Sequence, residues 1–210
     1  MVTLSICASK GGVGKTTLAA GLSSLAVEDG LKVAIIDYDP QQSLARWWEL
    51  REKRDNPRLI SEVDTIAEAV TVLTDNGFDL VIIDTPPALI SRVEPAIESA
   101  DLVIVPVRPS PIDVEAVDPV VTLANKYKRP FVFVLTMVGI NKNLKEGAAD
   151  YLKVDGEVLK EEISYCELFS SAMIEGKTAS EIDGGKSHQE MNALWRSIKE
   201  RLQPRVSEVA

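Results

Sequence analysis

The chain has 210 residues, 45% of them hydrophobic and 26% charged, with a formal net charge of -9. That size gives room for a substantial core in one domain, the composition is ordinary for a soluble globular protein, and the acidic balance argues against a protein that coats nucleic acid with its whole surface. The two cysteines, Cys7 and Cys166, are far apart and suggest neither a disulfide framework nor a zinc site, which fits a reducing cytoplasm. The apolar runs at 80–83 and 102–105 are too short to cross a bilayer, and no signal peptide is evident at the start.

Residues 2–8 alternate and then turn glycine-rich, as a buried strand entering a loop would. Residues 15–28 carry Leu18, Leu22, Leu25 and Ala26 at helical spacing, with Gly30 as the stop. A Val/Ile-rich strand is expected at 31–37, a helix at 41–54, a short strand at 58–61, and a helix at 65–76 closed by Gly77. Residues 79–84 form an apolar strand that ends in an acid and runs into Thr85, Pro86 and Pro87. A helix at 91–99, a strand at 101–107, a helix at 114–127, a strand at 130–137 and a helix at 143–152 follow. A last strand at 158–163 and helices at 168–175 and 189–202 complete the pattern.

Strands apolar on both faces, alternating with helices, predict an α/β fold: a mostly parallel twisted sheet with helices on both sides, as one domain over 1–210. In such sheets ligands bind beyond the carboxyl ends of the strands. The loops after the first, second and fourth strands are where this chain concentrates glycine, aspartate and proline.

Lys10-Gly11-Gly12-Val13-Gly14-Lys15-Thr16-Thr17 lies between the first strand and the first helix. Its glycines let successive N–H groups curl around a phosphate, and the positive end of the following helix adds to the attraction. Lys15 can reach the outer phosphates, and the Thr16 hydroxyl can ligate magnesium. An ordinary P-loop would have glycine at position 9; here Ser9 is followed by a second lysine. The segment resembles the deviant Walker A type of P-loop NTPase, with its pattern KGGxGK followed by Ser or Thr. That resemblance implies ATP and Mg2+ as ligands, with nucleotide contacts along residues 10–17. It also implies that Lys10 crosses a homodimer interface to the partner's nucleotide, much as an arginine finger would.

Asp37-Tyr38-Asp39-Pro40-Gln41 ends the second strand and is similar to the DxDPQ segment of the ParA-type partitioning ATPases. By that resemblance Asp39 positions the attacking water and Asp37 lies near the magnesium. Without it, Asp39 reads as a cap for the helix starting near Gln41. Residues 80–87 resemble the family's Walker B strand and switch; a buried Asp84 needs a cation, and magnesium through a water is the implied partner. Adenine contacts match by position alone, at Thr136, Met137 and residues 164–168. The proline-bearing stretch at 106–111 is similar to the small plasmid-type ParA proteins, where it lies near the dimer or polymer interface. Because the chain starts at the first strand, it is read as lacking the N-terminal helix-turn-helix domain of larger relatives.

The resemblance implies an ATP-dependent homodimer with slow hydrolysis stimulated by a centromere-binding or cargo-adaptor partner (ParB-like). It also implies non-specific DNA binding and a nucleoid-associated, cytoplasmic location. Arg196, Lys199 and Arg201 on the last helix are candidates for salt-sensitive phosphate contacts. The alternatives are a nucleotide-switched adaptor without catalysis, against which Lys10, Lys15, Asp39 and Asp84 together speak, and a membrane regulator like MinD, for which the stripe Leu194, Ile198 and Leu202 beside Trp195 would be the binding face. Pro204 and the sparsely apolar tail favour packing on the sheet instead. A metal-cluster carrier would need cysteines near a dimer axis, which Cys7 and Cys166 do not offer. Cys7 is expected in the core, at least one of Trp47 and Trp48 at an edge, and His188 at the surface.

Overall fold

The computed structural model describes residues 1–52, 55–61, 64–87, 90–182 and 184–206. Among these, seven strands form one sheet: β1 (Val2–Ile6), β2 (Val33–Asp37), β3 (Arg58–Ile60), β4 (Leu80–Asp84), β5 (Leu102–Val107), β6 (Phe131–Leu135) and β7 (Glu157–Val158). The order is β3-β2-β4-β1-β5-β6-β7, and every pairing is parallel.

Period-two alternation sends one set of side chains to each face. Leu4, Ile6, Ile82, Ile104 and Val134 pack with α1 (Lys15–Glu28), α2 (Ser43–Glu49), α8 (Leu168–Ile174) and α10 (Lys186–Val206). On the other face Val103, Val105, Phe133 and Leu135 meet α4 (Ile90–Glu98), α5 (Pro111–Glu115), α6 (Asp118–Lys126) and α7 (Lys142–Leu152). Ala34, Ile36, Val81 and Ile83 meet α3 (Ile66–Asp75) there. Both faces are thus covered by helices, and the inner strands read as unbroken apolar runs for that reason.

The expected helix at 114–127 is two helices, α5 and α6. Pro119 sits near the start of α6, where its missing N–H is tolerated; in a continuous helix its ring would collide with the carbonyl of Glu115. The expected strand at 158–163 shrinks to β7, after which only the bonds from Leu159 N to Phe133 O and Ile163 N to Leu135 O, both 2.9 Å, hold it to β6. A short helix unforeseen from the sequence, α9 (Ala179–Ile182), follows α8. The helix after β2 is shorter than expected, and positions 53–54 of its predicted end lie outside the described residues.

Leu194, Trp195, Ile198 and Leu202 are buried in the core against α1, so the apolar stripe of the last helix is spent on packing. No helix among the described residues is long and apolar enough to cross a membrane. Trp47 is fully buried, while Trp48 is half-buried and donates its indole N–H to the Pro57 carbonyl at 2.8 Å. Cys7 is buried, as expected. His188 departs from its expected surface position: it is half-buried, with its ring nitrogens 3.2 Å from Ser180 O and 2.6 Å from Asn192 Nδ2.

Candidate functional site

Strand register builds the site. β4 lies between β2 and β1, with Asp84 level with Asp37 on one side and with Ile6 on the other. The two acidic strand ends and the glycine-rich loop leaving β1 therefore meet at one edge of the sheet. The loop keeps its shape through backbone geometry: Gly12 and Gly14 have φ of 70° and 89°, values that side chains beyond Cα rarely allow. Gly14 precedes α1 without a side-chain cap, which leaves the first N–H groups of that helix free to face an anion.

Two ties brace this loop. The Thr136 hydroxyl, at the end of β6, donates to Val13 O at 2.8 Å, and the Thr85 hydroxyl donates to Ile6 O at 2.9 Å. Neither was foreseen; Thr136, the expected nucleobase contact, lends its hydroxyl to the loop while also lining the pocket beside it. Met137 follows with φ of 51° and is partly exposed.

Lys15 is buried, and its ammonium folds back to donate to Lys10 O at 3.2 Å. Burial pushes its pKa below the usual lysine range, opposed by the negative charges of Asp84 and Asp39. Asp84 has no exposed surface. Its Oδ2 accepts the Thr16 hydroxyl at 2.6 Å, while its Oδ1 meets no hydrogen-bond donor among the described residues. Burial pushes Asp84 up to about 7, against the Thr16 hydrogen bond, with Asp37 adding to the rise and Lys15 opposing it. A hydroxyl and a carboxylate with an unused oxygen are hard donors suited to Mg2+, which keeps several waters and needs few protein ligands. No cluster of three or more His, Cys, Asp or Glu groups placed to hold a metal occurs among the described residues.

Asp37, not Asp39, supplies the carboxylate that caps the helix after β2. Its Oδ2 accepts Ala45 N at 2.9 Å and its Oδ1 accepts Asp39 N at 3.1 Å. Burial raises its pKa, and those backbone bonds oppose the rise. The Asp39 carboxylate accepts Gln41 N at 2.9 Å through Oδ1, and its carbonyl accepts Gln42 N at 2.8 Å, a local turn that leaves Oδ2 outside both bonds. Lys10 is half-buried at the rim, and glycines 11 and 12 are exposed.

A pocket beside the loop is lined by Thr17, Leu18, Thr136, Met137, Ser164 and Tyr165, among others. The structure thus brings Thr17, the two residues after β6 and residues 164–167 together. On the last helix, Lys199 is ion-paired with Asp29, and Arg201 with Glu157. Arg196 is exposed.

A parallel sheet, a glycine loop between β1 and α1, and paired carboxylates at the neighbouring strand ends define a P-loop nucleotide-binding α/β protein. The chain belongs to the CobQ/CobB/MinD/ParA nucleotide binding domain family, which matches residues 4–179. It is 37% identical over 115 residues to a "Maintenance of carboxysome distribution protein A" from Gloeobacter kilaueensis, covering 50% of this chain and 48% of that protein. It is 34% identical over 115 residues to a "Protein ParA" from Rhizobium radiobacter, covering 54% and 51%. The chain therefore spans about half the length of these relatives. The ATP complex of a McdA variant from Cyanothece superposes with a TM-score of 0.76 at 22% identity, over 97% of this chain and 96% of that one, a likeness of fold.

Proposed function

We propose that the chain is an ATPase that dimerises on binding ATP, engages DNA without sequence preference in that state, and lets go after hydrolysis stimulated by a partner protein. The observation that carries this reading is the loop at 10–17, with Lys15 drawn in beneath it and Lys10 at its rim. In this reading Lys15 serves the chain's own phosphates and Lys10 serves those of a second subunit. Relatives named for plasmid or carboxysome distribution support a role in moving DNA or positioning cargo.

In this reading the loop N–H groups and Lys15 bind the phosphates, and Lys15 exchanges its bond to Lys10 O for a phosphate oxygen. Thr16 and Asp84 would hold Mg2+, with Asp37 behind them; bound there, the ion neutralises phosphate charge. Asp39 orients the attacking water, and Lys10 lends its ammonium to the nucleotide of the second subunit, stabilising charge that develops in transfer. Dimer and DNA-bound states need differential affinity for ATP over ADP, because only that difference can drive a cycle. The partner is a centromere-binding or cargo-adaptor protein, and Arg196 is the basic residue of the last helix best placed for a phosphate contact. The buried stripe of α10 supports no membrane-binding face.

A gel-shift titration with ATP and with ADP, alongside phosphate release, tests the reading. DNA retardation with ATP alone, lost at high salt, is the expected result. Equal retardation with both nucleotides, or no phosphate release, would overturn it.

A further inference from the structure

Resting on that reading of the nucleotide pocket, we propose that Glu190 positions the loop that contacts the base. The outer wall of the pocket is the segment Ser164, Tyr165, Cys166 and Glu167, opposite Thr17 and Leu18 of α1. The sheet holds this wall at its start, through Val138 N to Ile163 O and Tyr165 N to Val138 O, both 3.0 Å. Beyond that point Tyr165, Cys166 and Glu167 are exposed. At its far end the wall runs into α8, where Cys166 O accepts Phe169 N at 3.3 Å and Glu167 O accepts Ser171 N at 2.9 Å.

Glu190 supplies a side-chain anchor between those two ends from α10, 26 residues further along the chain. Its Oε2 accepts the Ser164 N–H at 3.0 Å and its Oε1 accepts the Ser164 hydroxyl at 2.6 Å. Lys186, one turn earlier on α10, donates to the same hydroxyl at 2.9 Å and lies 3.4 Å from the Glu190 carboxylate. The carboxylate is 15% exposed, so both bonds are charge-assisted and largely shielded from water. The helix that carries it is fixed in turn against α1: a Cβ on Gly21 would lie 2.9 Å from the Met191 side chain, and Trp195 donates to Asp29 at 2.8 Å. Glu190 thereby ties the loop wall of the pocket to the same helix that α1 packs on. It acts through Ser164 and governs affinity for the base rather than for the phosphates.

Calorimetric titration of Mg-ATP and of Mg-tripolyphosphate, which has phosphates and no base, separates the two. Glu190→Ala should weaken ATP binding about tenfold and move tripolyphosphate binding less than about twofold. KM for ATP should rise with kcat nearly constant, and Glu190→Gln, which keeps an acceptor for the N–H, should recover most of the loss. If Glu190→Ala melts more than about 5 °C below wild type, Ser164→Ala is used instead, with ATP weakened about threefold and tripolyphosphate unmoved. Equal weakening of both ligands, or unchanged ATP affinity, overturns the proposal alone. A wild-type protein that binds tripolyphosphate no worse than ATP, or neither, overturns the nucleotide reading and this proposal with it.

Discussion

Replacing Asp84 with asparagine measures what the protein gives up to keep a carboxylate buried at the end of β4. Asp84 has no exposed surface, one of its oxygens meets no donor among the described residues, and burial lifts its pKa from an ordinary 3.8 to about 7. Between those values the folded state holds a proton that the unfolded chain has lost. Its contribution to stability is therefore complete below the unfolded value and disappears as pH rises through about 7. The gap amounts to about 4 kcal/mol as an upper bound, and relaxation with water entry leaves about 2 kcal/mol. The D84N side chain is neutral and can still accept the Thr16 hydroxyl. Removing the charge also takes a favourable neighbour from Lys15, which trims the gain; burial is the larger influence on both groups. Without nucleotide at pH 8, D84N should melt about 4–8 °C above wild type. At pH 5, where the wild-type carboxyl is protonated in the folded state, the gain should shrink to about a third. Thermal denaturation followed by circular dichroism at the two pH values, in the absence of magnesium, makes the comparison. A variant less stable than wild type at pH 8, or one with the same gain at both, refutes the reasoning.

Asp39→Ala should keep ATP affinity within about threefold and lower turnover at least about a hundredfold, read by filter binding and phosphate release. Gly176→Ala should destabilise the fold by about 2–4 kcal/mol in urea unfolding. There φ is 68° and the added methyl would lie 2.4 Å from the Leu50 carbonyl carbon. Arg196→Ala should weaken ATP-dependent DNA binding and reduce the slope of log K against log salt by about 1. Lys199→Ala should change that slope less, because its ammonium is already paired with Asp29.

What could be read from the sequence was contiguous. The loop at 10–17 announces itself because its glycines, lysines and threonines follow one another in the chain, and the acids of β2 and β4 stand out because they end apolar runs. Their meeting was not written in any one segment; it depends on β4 inserting between β1 and β2, a choice of strand order. Thr136 illustrates the limit: its position after β6 placed it near the pocket, but the chain gave no sign that its hydroxyl would turn to Val13, 123 residues away. Asp37 and Asp39 are two residues apart, and the bend of the loop decides which one caps α2. The split between α5 and α6 falls just before Pro119, but the sequence reads as one helix there because proline also sits within helices of this chain, as Pro95 does in α4. Contacts such as Glu190 to Ser164 or Arg51 to Glu181 pair ordinary surface residue types and carry no motif.

The exchange of lysines between subunits is most directly tested by mixing two inactive proteins, Lys10→Ala and Asp39→Ala, with ATP and magnesium. Each mixed dimer would contain one complete site, with Asp39 from one subunit and Lys10 from the other. Turnover should return to about a quarter of wild type, the statistical share for one working site in half of the dimers. No recovery, from subunits shown by light scattering to pair at twice 22.9 kDa, would contradict the account.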